Sequence, residues 1–214
     1  MDRRAFLTGM VVAGGALALG ERAAFAQDSL DKALAEITQA RASVKNMVAP
    51  FTQERTIGLL ATSVKSEGEM TLVRPDKLRW ELKPPDAITY WITPEGLAFA
   101  TPGGGSSVGK GAAGRFGAVL SDMLILLGGD LAKLKDRYDL SVPSRENGLV
   151  LIAKPRADEV KKVVKSLEMS TGPELWSVNR VVIEEKNGDK SVIVFGKVTR
   201  DAKIDPAKMQ PPKK

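Results

Sequence analysis

Neither cysteine nor histidine occurs anywhere among the 214 residues. That pair of absences removes thiol nucleophiles, disulfides, imidazole acid–base chemistry and the common zinc sites together, because each needs one of those side chains. A chain without cysteine also cannot be acylated at an N-terminal cysteine, so it is not itself a lipoprotein. Aromatic residues make up only 5%. Beyond the first 26 residues there is no further candidate for a membrane-spanning helix.

What is present is ordinary for a globular chain: 43% hydrophobic and 27% charged residues, in a length that suits one domain with a sizeable core. The first 26 residues read as a signal peptide. Arg3 and Arg4 open it, an apolar stretch runs from Met10 to Leu19, and Ala24-Phe25-Ala26 is an A-x-A cleavage site that leaves Gln27 as the first mature residue. The string Arg3-Arg4-Ala5-Phe6-Leu7 resembles a twin-arginine export signal, with the general export route as the other option. An uncleaved anchor is the competing reading, but the apolar run falls short of the roughly 20 residues that a span needs. The organisation expected is therefore a signal peptide over 1–26 and a single domain over 27–214.

Cleavage removes three Arg against one Asp and one Glu, so the formal charge falls from +6 to +5. A modest basic excess favours acidic surfaces. Lys and Arg are dispersed, with no basic run interleaved with aromatics, so nucleic acid is not an expected partner.

Along the mature chain the period changes once. Residues 29–44 space Leu30, Leu34, Ile37 and Val44 to one helical face, with Ser29 as N-cap, and Pro50 ends that region. Strands follow at 51–60, 63–73, 77–83, 88–93 and 97–101, separated by Pro75-Asp76, Pro84-Pro85-Asp86 and Pro94-Glu95-Gly96. Short strands with short turns imply an antiparallel meander. Residues 102–114 are Gly-rich and read as a mobile loop. Within them Gly104 to Lys110 satisfies seven places of a phosphate-binding loop, but Gly111 stands where the metal-holding Ser or Thr belongs.

Residues 115–127 and 130–138 read as two helical pieces broken at Gly128-Gly129. The first, carrying Leu120, Met123 and Leu124, is apolar on more than one side, so it is either a core helix or a lid over an apolar cavity. Strands resume at 138–143, 149–155, 163–170, 176–185 and 191–199, and Asn187-Gly188 is the strongest hairpin signal in the chain. A two-residue turn there would pair Ile183 with Val192 and Val181 with Val194. Apolar residues would then occupy both faces, each needing cover from protein or ligand. The tail from Asp201 reads as irregular and extended or disordered beyond Met209.

Several constellations admit a chemical role. Glu54, Glu67 and Glu69 could serve a hydrolase that uses only carboxylates, although exposed strand faces carry such acids routinely. Leu78, Trp80 and Leu82 alternate on one strand face, as do Ile88, Tyr90 and Ile92 on the next, so the two strands can build a concave apolar wall. Arg74 between Val73 and Pro75 is either an exposed strand-end cation or a donor reaching across an opening to helix-terminal carbonyls. No metal site and no cofactor site is expected.

Phe51-Thr52-Gln53, Gly68-Glu69-Met70, Arg74-Pro75-x-x-Leu78-x-Trp80 and Pro85-Asp86 together resemble the LolA family of periplasmic lipoprotein carriers. The order and spacing run over about fifty residues, and the later plan of strands, apolar helical insert and Pro-Pro is similar as well. The resemblance implies a mainly β fold with an α lid, an unclosed antiparallel β-barrel (half-barrel) covered by helices. It implies a periplasmic carrier that shuttles lipoprotein acyl chains from the inner to the outer membrane, and no enzyme. Burying lipid chains at ~0.8 kcal/mol per CH₂ needs area rather than catalytic groups. An inner-membrane release complex, an outer-membrane acceptor and a monomeric state come with that reading.

By position, Arg74 matches the family arginine that bonds the lid in the closed state, and Leu78 and Trp80 match apolar positions near the cavity. The candidate ligand-binding set is Arg74, Leu78, Trp80, Leu82, Tyr90, Ile92, Leu120 and Leu124, under a lid of residues 29–44 and 115–137. Lys77 and Arg79 inside the motif, the Gly-rich segment and the short C-terminus depart from the family pattern. The same scaffold also suits an envelope sensor, or a carrier of another lipid or glycolipid.

Overall fold

The computed structural model describes residues 29–109 and 114–211 and, within them, the side chains outside 108–120. The expected signal peptide and the last three residues lie outside the described set. The first helix, α1 (residues 29–41), buries Leu30, Ala33, Leu34 and Ile37 along one face, as their spacing requires. It stops short of residue 44. Backbone bonds from Ala42 to Gln39 and from Val44 to Arg41 turn the chain there, so Val44 is buried without being helical.

Eleven strands follow one antiparallel path. β1 (Asn46–Ile57), β2 (Thr62–Val73), β3 (Lys77–Leu82), β4 (Ile88–Thr93), β5 (Gly96–Thr101) and β6 (Gly104–Gly109) form a meander. β7 (Tyr138–Ser144), β8 (Val150–Pro155), β9 (Val164–Thr171), β10 (Val178–Glu185) and β11 (Lys190–Phe195) form a second. The two join where β1 pairs with β11, and the short β12 (Thr199–Arg200) pairs with the start of β1. β6 and β7 are the free ends of the path, so the sheet is not closed into a barrel.

Three local expectations are corrected by this pairing. β1 begins earlier than residue 51 and runs through Pro50, which is tolerated because the ladder on that side is interrupted between Phe195 and Thr199. The Gly-rich segment is no mobile loop through 104–109: it is the edge strand β6, paired to β5 from Gly96–Gly109 to Thr101–Gly104. The β10–β11 connection is a three-residue turn, with Glu185 N–H donating to Asp189 and Gly188 at φ 90°.

That extra residue slips the expected register by one. Val181 faces Ile193, Val182 faces Val192 and Ile183 faces Ser191. Because side chains alternate with period two, the slip exchanges the faces. Val181, Ile183, Ile193 and Phe195 share the buried concave side, whereas Val194 on the other side is half exposed and needs no cover.

The helix α2 (Gly114–Gly128) lies across the concavity, followed by a single 3₁₀ turn (Leu131–Leu134) where a second helical piece was expected. Asp130 caps that turn, its carboxylate accepting from the Ala132 N–H. Gly128 allows the end of α2 to press on β2, since a Cβ there would stand 2.0 Å from a methyl of the buried Leu72. A short α3 (Asp158–Lys161) connects β8 to β9. On the convex side the tail is ordered as a 3₁₀ turn (Pro206–Met209), held by a bond from the Trp91 indole N–H to the Lys208 carbonyl at 2.8 Å.

The centre of the concave face is aromatic. Phe51 stacks on Trp80 with centroids 3.9 Å apart, and Phe195 meets both rings edge-on. Phe51 can lie flat there because Gly68 stands directly opposite it on β2. A Cβ on Gly68 would come within 2.3 Å of the Phe51 ring and 2.1 Å of the Glu81 carbonyl. Gly68→Ala is therefore expected to lower stability by about 1–3 kcal/mol, the usual range for overpacking, measured by denaturant unfolding; an unchanged midpoint would show that the ring has room to move.

Candidate functional site

β3 and β4 supply one wall of the concave face. Their register sets Leu78 against Ile92, Trp80 against Tyr90 and Leu82 against Ile88, all turned inward by the same alternation. β10 and β11 supply the opposite wall with Ile183 and Ile193, and α2 roofs the space with Met123. Between them lies a cavity of about 410 Å³, a size that accommodates a small ligand. Trp80, Leu82, Tyr90, Met123, Val163, Ile183 and Ile193 make its apolar part. Gln53, Arg55, Lys162, Glu185, Asn187 and Ser191 make its polar part, near the turns that end β1 and β10.

The expected site residues separate accordingly. Trp80, Leu82 and Tyr90 line the cavity. Leu78, Ile92 and Leu124 are buried in the packed core outside its lining, because the helices already cover that part of the sheet. The Leu120 side chain lies outside the described residues. Glu67 and Glu69 project from the convex face, away from the cavity, since Gly68 and Met70 take the inward positions of β2. Burial, reinforced by the nearby Asp86 carboxylate, pushes the Tyr90 phenol above its ordinary range, so its hydroxyl stays protonated at neutral pH.

Arg74 sits outside the cavity, at the far end of β2. Its guanidinium donates to the backbone carbonyl of Arg41, the last residue of α1. Of the two alternatives its sequence position allowed, the reach to a helix-terminal carbonyl is the one adopted. Arg41 extends the connection: its own guanidinium, fully buried, donates to the Leu126 carbonyl of α2 at 2.9 Å and lies against the Met169 sulfur. A chain of two arginines thus ties the β2–β3 turn to α1 and α1 to α2. Burial first, and then the charge of Arg74, push Arg41 well below the usual guanidinium range. Nothing in the sequence pattern marked Arg41; it stands as a polar residue at the end of an amphipathic helix, where solvent is the usual expectation.

α2 is fastened on its other side by Asp122. Its buried carboxylate accepts from the Tyr138 hydroxyl at the start of β7 and from Arg137 just before it. Burial raises its pKa, with the Tyr138 bond and the Arg137 charge opposing the shift.

At the cavity's polar end, Asp189 is the joint. Its carboxylate accepts from Arg55 at 2.9 Å and from the Gly58 N–H at 3.0 Å, clamping the β1–β2 turn to the β10–β11 turn. Gly58 must be glycine for that approach, since a Cβ would stand 2.6 Å from the Gly188 carbonyl oxygen.

An open antiparallel sheet curled round a partly apolar cavity and roofed by helices, with its polar contacts spent on holding the roof, has the architecture of a binding carrier. Residues 42–211 match the family of the outer membrane lipoprotein carrier protein LolA, and the chain belongs to that family, whose members are carriers rather than enzymes. An uncharacterized conserved protein from Thermus thermophilus is similar in structure, at TM-score 0.53 and 11% identity, with 86% of this chain and 95% of that one covered. A DUF1329 family protein from Desulfovibrio piger matches at TM-score 0.52 and 10% identity, covering 84% of this chain and 96% of that one. A LolA superfamily protein from Nitrosomonas europaea aligns at TM-score 0.47 and 8% identity over 84% of this chain and 96% of its own. No curated protein matches the sequence.

The Asp189 joint gives a pH dependence. The Arg55 hydrogen bond, then the Gly58 N–H, hold this carboxyl below the ordinary carboxylate range. A depressed folded pKa contributes stability that is present above the unfolded value of about 4 and is lost as pH falls through the folded one. Asp189→Asn should lower the thermal midpoint at neutral pH and flatten its fall on acidification below about pH 4; an acid limb as steep as that of the wild type would show that Asp189 is not the group titrating.

Proposed function

We propose that this protein is a periplasmic carrier that holds the acyl chains of lipoproteins in the concave cavity and moves them from the inner to the outer membrane. The observation that carries this reading is the cavity of about 410 Å³ with an apolar interior under fastened helices, in a chain of the lipoprotein-carrier family. Each methylene buried there contributes ~0.8 kcal/mol, so several suffice for useful affinity without any reacting group. The signal peptide over residues 1–26 would deliver the chain to the periplasm. An inner-membrane complex would load it and an outer-membrane acceptor would unload it, with the protein working as a monomer over one domain.

The ligand set in this reading is Trp80, Leu82 and Tyr90 in direct contact. Leu78, Ile92, Leu120 and Leu124 would be exposed to longer chains only when α1 and α2 move. Arg74 is the latch, because its bond to the Arg41 carbonyl must break before α1 can rise from the sheet.

Mature protein mixed with a fluorescent fatty acid, or with a triacylated lipoprotein, should bind saturably with a stoichiometry near one. Absence of saturable binding to both overturns the carrier, and binding of the fatty acid alone points to another lipid as cargo. Arg74→Leu should fold normally yet shift the closed-to-open ratio by roughly tenfold, the worth of one charge-assisted hydrogen bond. Stopped-flow transfer of lipoprotein to an acceptor is the measurement, and wild-type kinetics would remove the latch role.

A further inference from the structure

Most of the large apolar side chains left exposed by the fold lie on one hairpin. Among the described residues the exposed ones are Leu59 at 91%, Leu60 at 65%, Val64 at 47% and Val194 at 46%. Three of the four belong to the β1–β2 hairpin, and the two leucines are consecutive at its tip, in the 3₁₀ turn Gly58–Leu60. Single exposed leucines are commonplace; an apolar pair on a projecting tip marks a contact surface.

The tip does project. β2 has no β3 partner before Gly68, so its first six residues extend beyond the neighbouring strand. It is also held in place by the bond from the Gly58 N–H to Asp189 and by the close approach of Gly58 to Gly188. The leucines are thus presented on a fixed turn.

Positive charge accompanies them. Arg55, Lys165 and Lys190 are matched by Glu184, Glu185 and Asp189. Lys162 and Lys186 are exposed and make no ion pair among the described residues. Lys186 lies in the turn that meets Gly58, and its N–H donates to Val163, beside Lys162. Arg55, Lys162 and Asn187 also line the polar end of the cavity, so tip, cations and the polar end of the cavity share one end of the molecule.

We propose that the Leu59–Leu60 tip, with Lys162 and Lys186 beside it, docks this protein on the surface of an anionic phospholipid bilayer and brings the polar end of the cavity to the lipid. A small apolar protrusion and a pair of unmatched cations are each weak membrane ligands, and their combination is what a reversible peripheral contact requires. Charge complementarity selects a phosphate-rich lipid surface over an apolar groove on a protein. The inference goes beyond the carrier reading, because docking needs no ligand in the cavity.

The test is co-sedimentation of the mature chain with vesicles of phosphatidylcholine, with and without phosphatidylglycerol. Binding should require phosphatidylglycerol and weaken with salt. The double variant Leu59→Ser, Leu60→Ser should bind at least roughly tenfold more weakly, and Lys162→Gln with Lys186→Gln should lose the preference for phosphatidylglycerol. Both should keep the wild-type unfolding midpoint, and the leucine variant, whose residues lie outside the cavity lining, should keep the wild-type affinity for fluorescent fatty acid, which separates this proposal from the carrier reading. Wild-type vesicle binding by the leucine variant overturns it. So does absence of binding to any vesicle, which would leave the tip as a contact for a protein.

Discussion

A curled sheet of eleven consecutive strands has a concave face wider than its own side chains can fill, and how that face is covered governs everything else in the molecule. α1 covers one part with Leu30, Leu34 and Ile37, and α2 another with Met123, Leu126 and Leu127. The uncovered remainder is the cavity. Apolar contact is non-directional and would let the helices slide, so their positions are set by a few polar bonds: Arg74 to the end of α1, Arg41 to the end of α2, and Asp122 to the start of β7.

Arg41 makes that fastening specific but costly. Among the described residues its buried guanidinium has no partner for Nε and Nη1 and no carboxylate pairs with it, and the charge of Arg74 is close by. Desolvating a cation in this way is costly, and the bond to Leu126 offsets only part of the cost. Any motion that lifts α1 would return water to the guanidinium, so the burial penalty opposes the apolar contact that keeps the helix down.

The two ends of the molecule divide the work. The Arg74–Arg41 end holds the helices, whereas the Asp189 end holds two turns together and carries the polar rim of the cavity. Much of this is legible in the residue pattern: the inward alternation of Leu78, Trp80 and Leu82, the option of a carbonyl contact for Arg74, and the two-sided apolar helix at 115–127. Arg41 is not, because helical spacing marks a face but cannot say that a polar residue at its edge will be enclosed by a second helix. The β10–β11 register differs by one from expectation because Asn187-Gly188 reads as a two-residue turn. The extra residue is fixed by Asp189, whose carboxylate is committed to Arg55 and Gly58 on another hairpin.

The chain's own pattern determined which residues alternate inward, where turns fall, and which chemistries are impossible without cysteine and histidine. Those are properties of short segments, governed by local backbone sterics and by composition. The tertiary structure alone decided that β1 meets β11, that the Gly-rich segment becomes an edge strand, and that Trp80, Leu82 and Tyr90 face open space while Leu78 and Ile92 are packed. Period-two alternation states which face a side chain takes. What lies over that face depends on helices far away in sequence, and only packing brings them there.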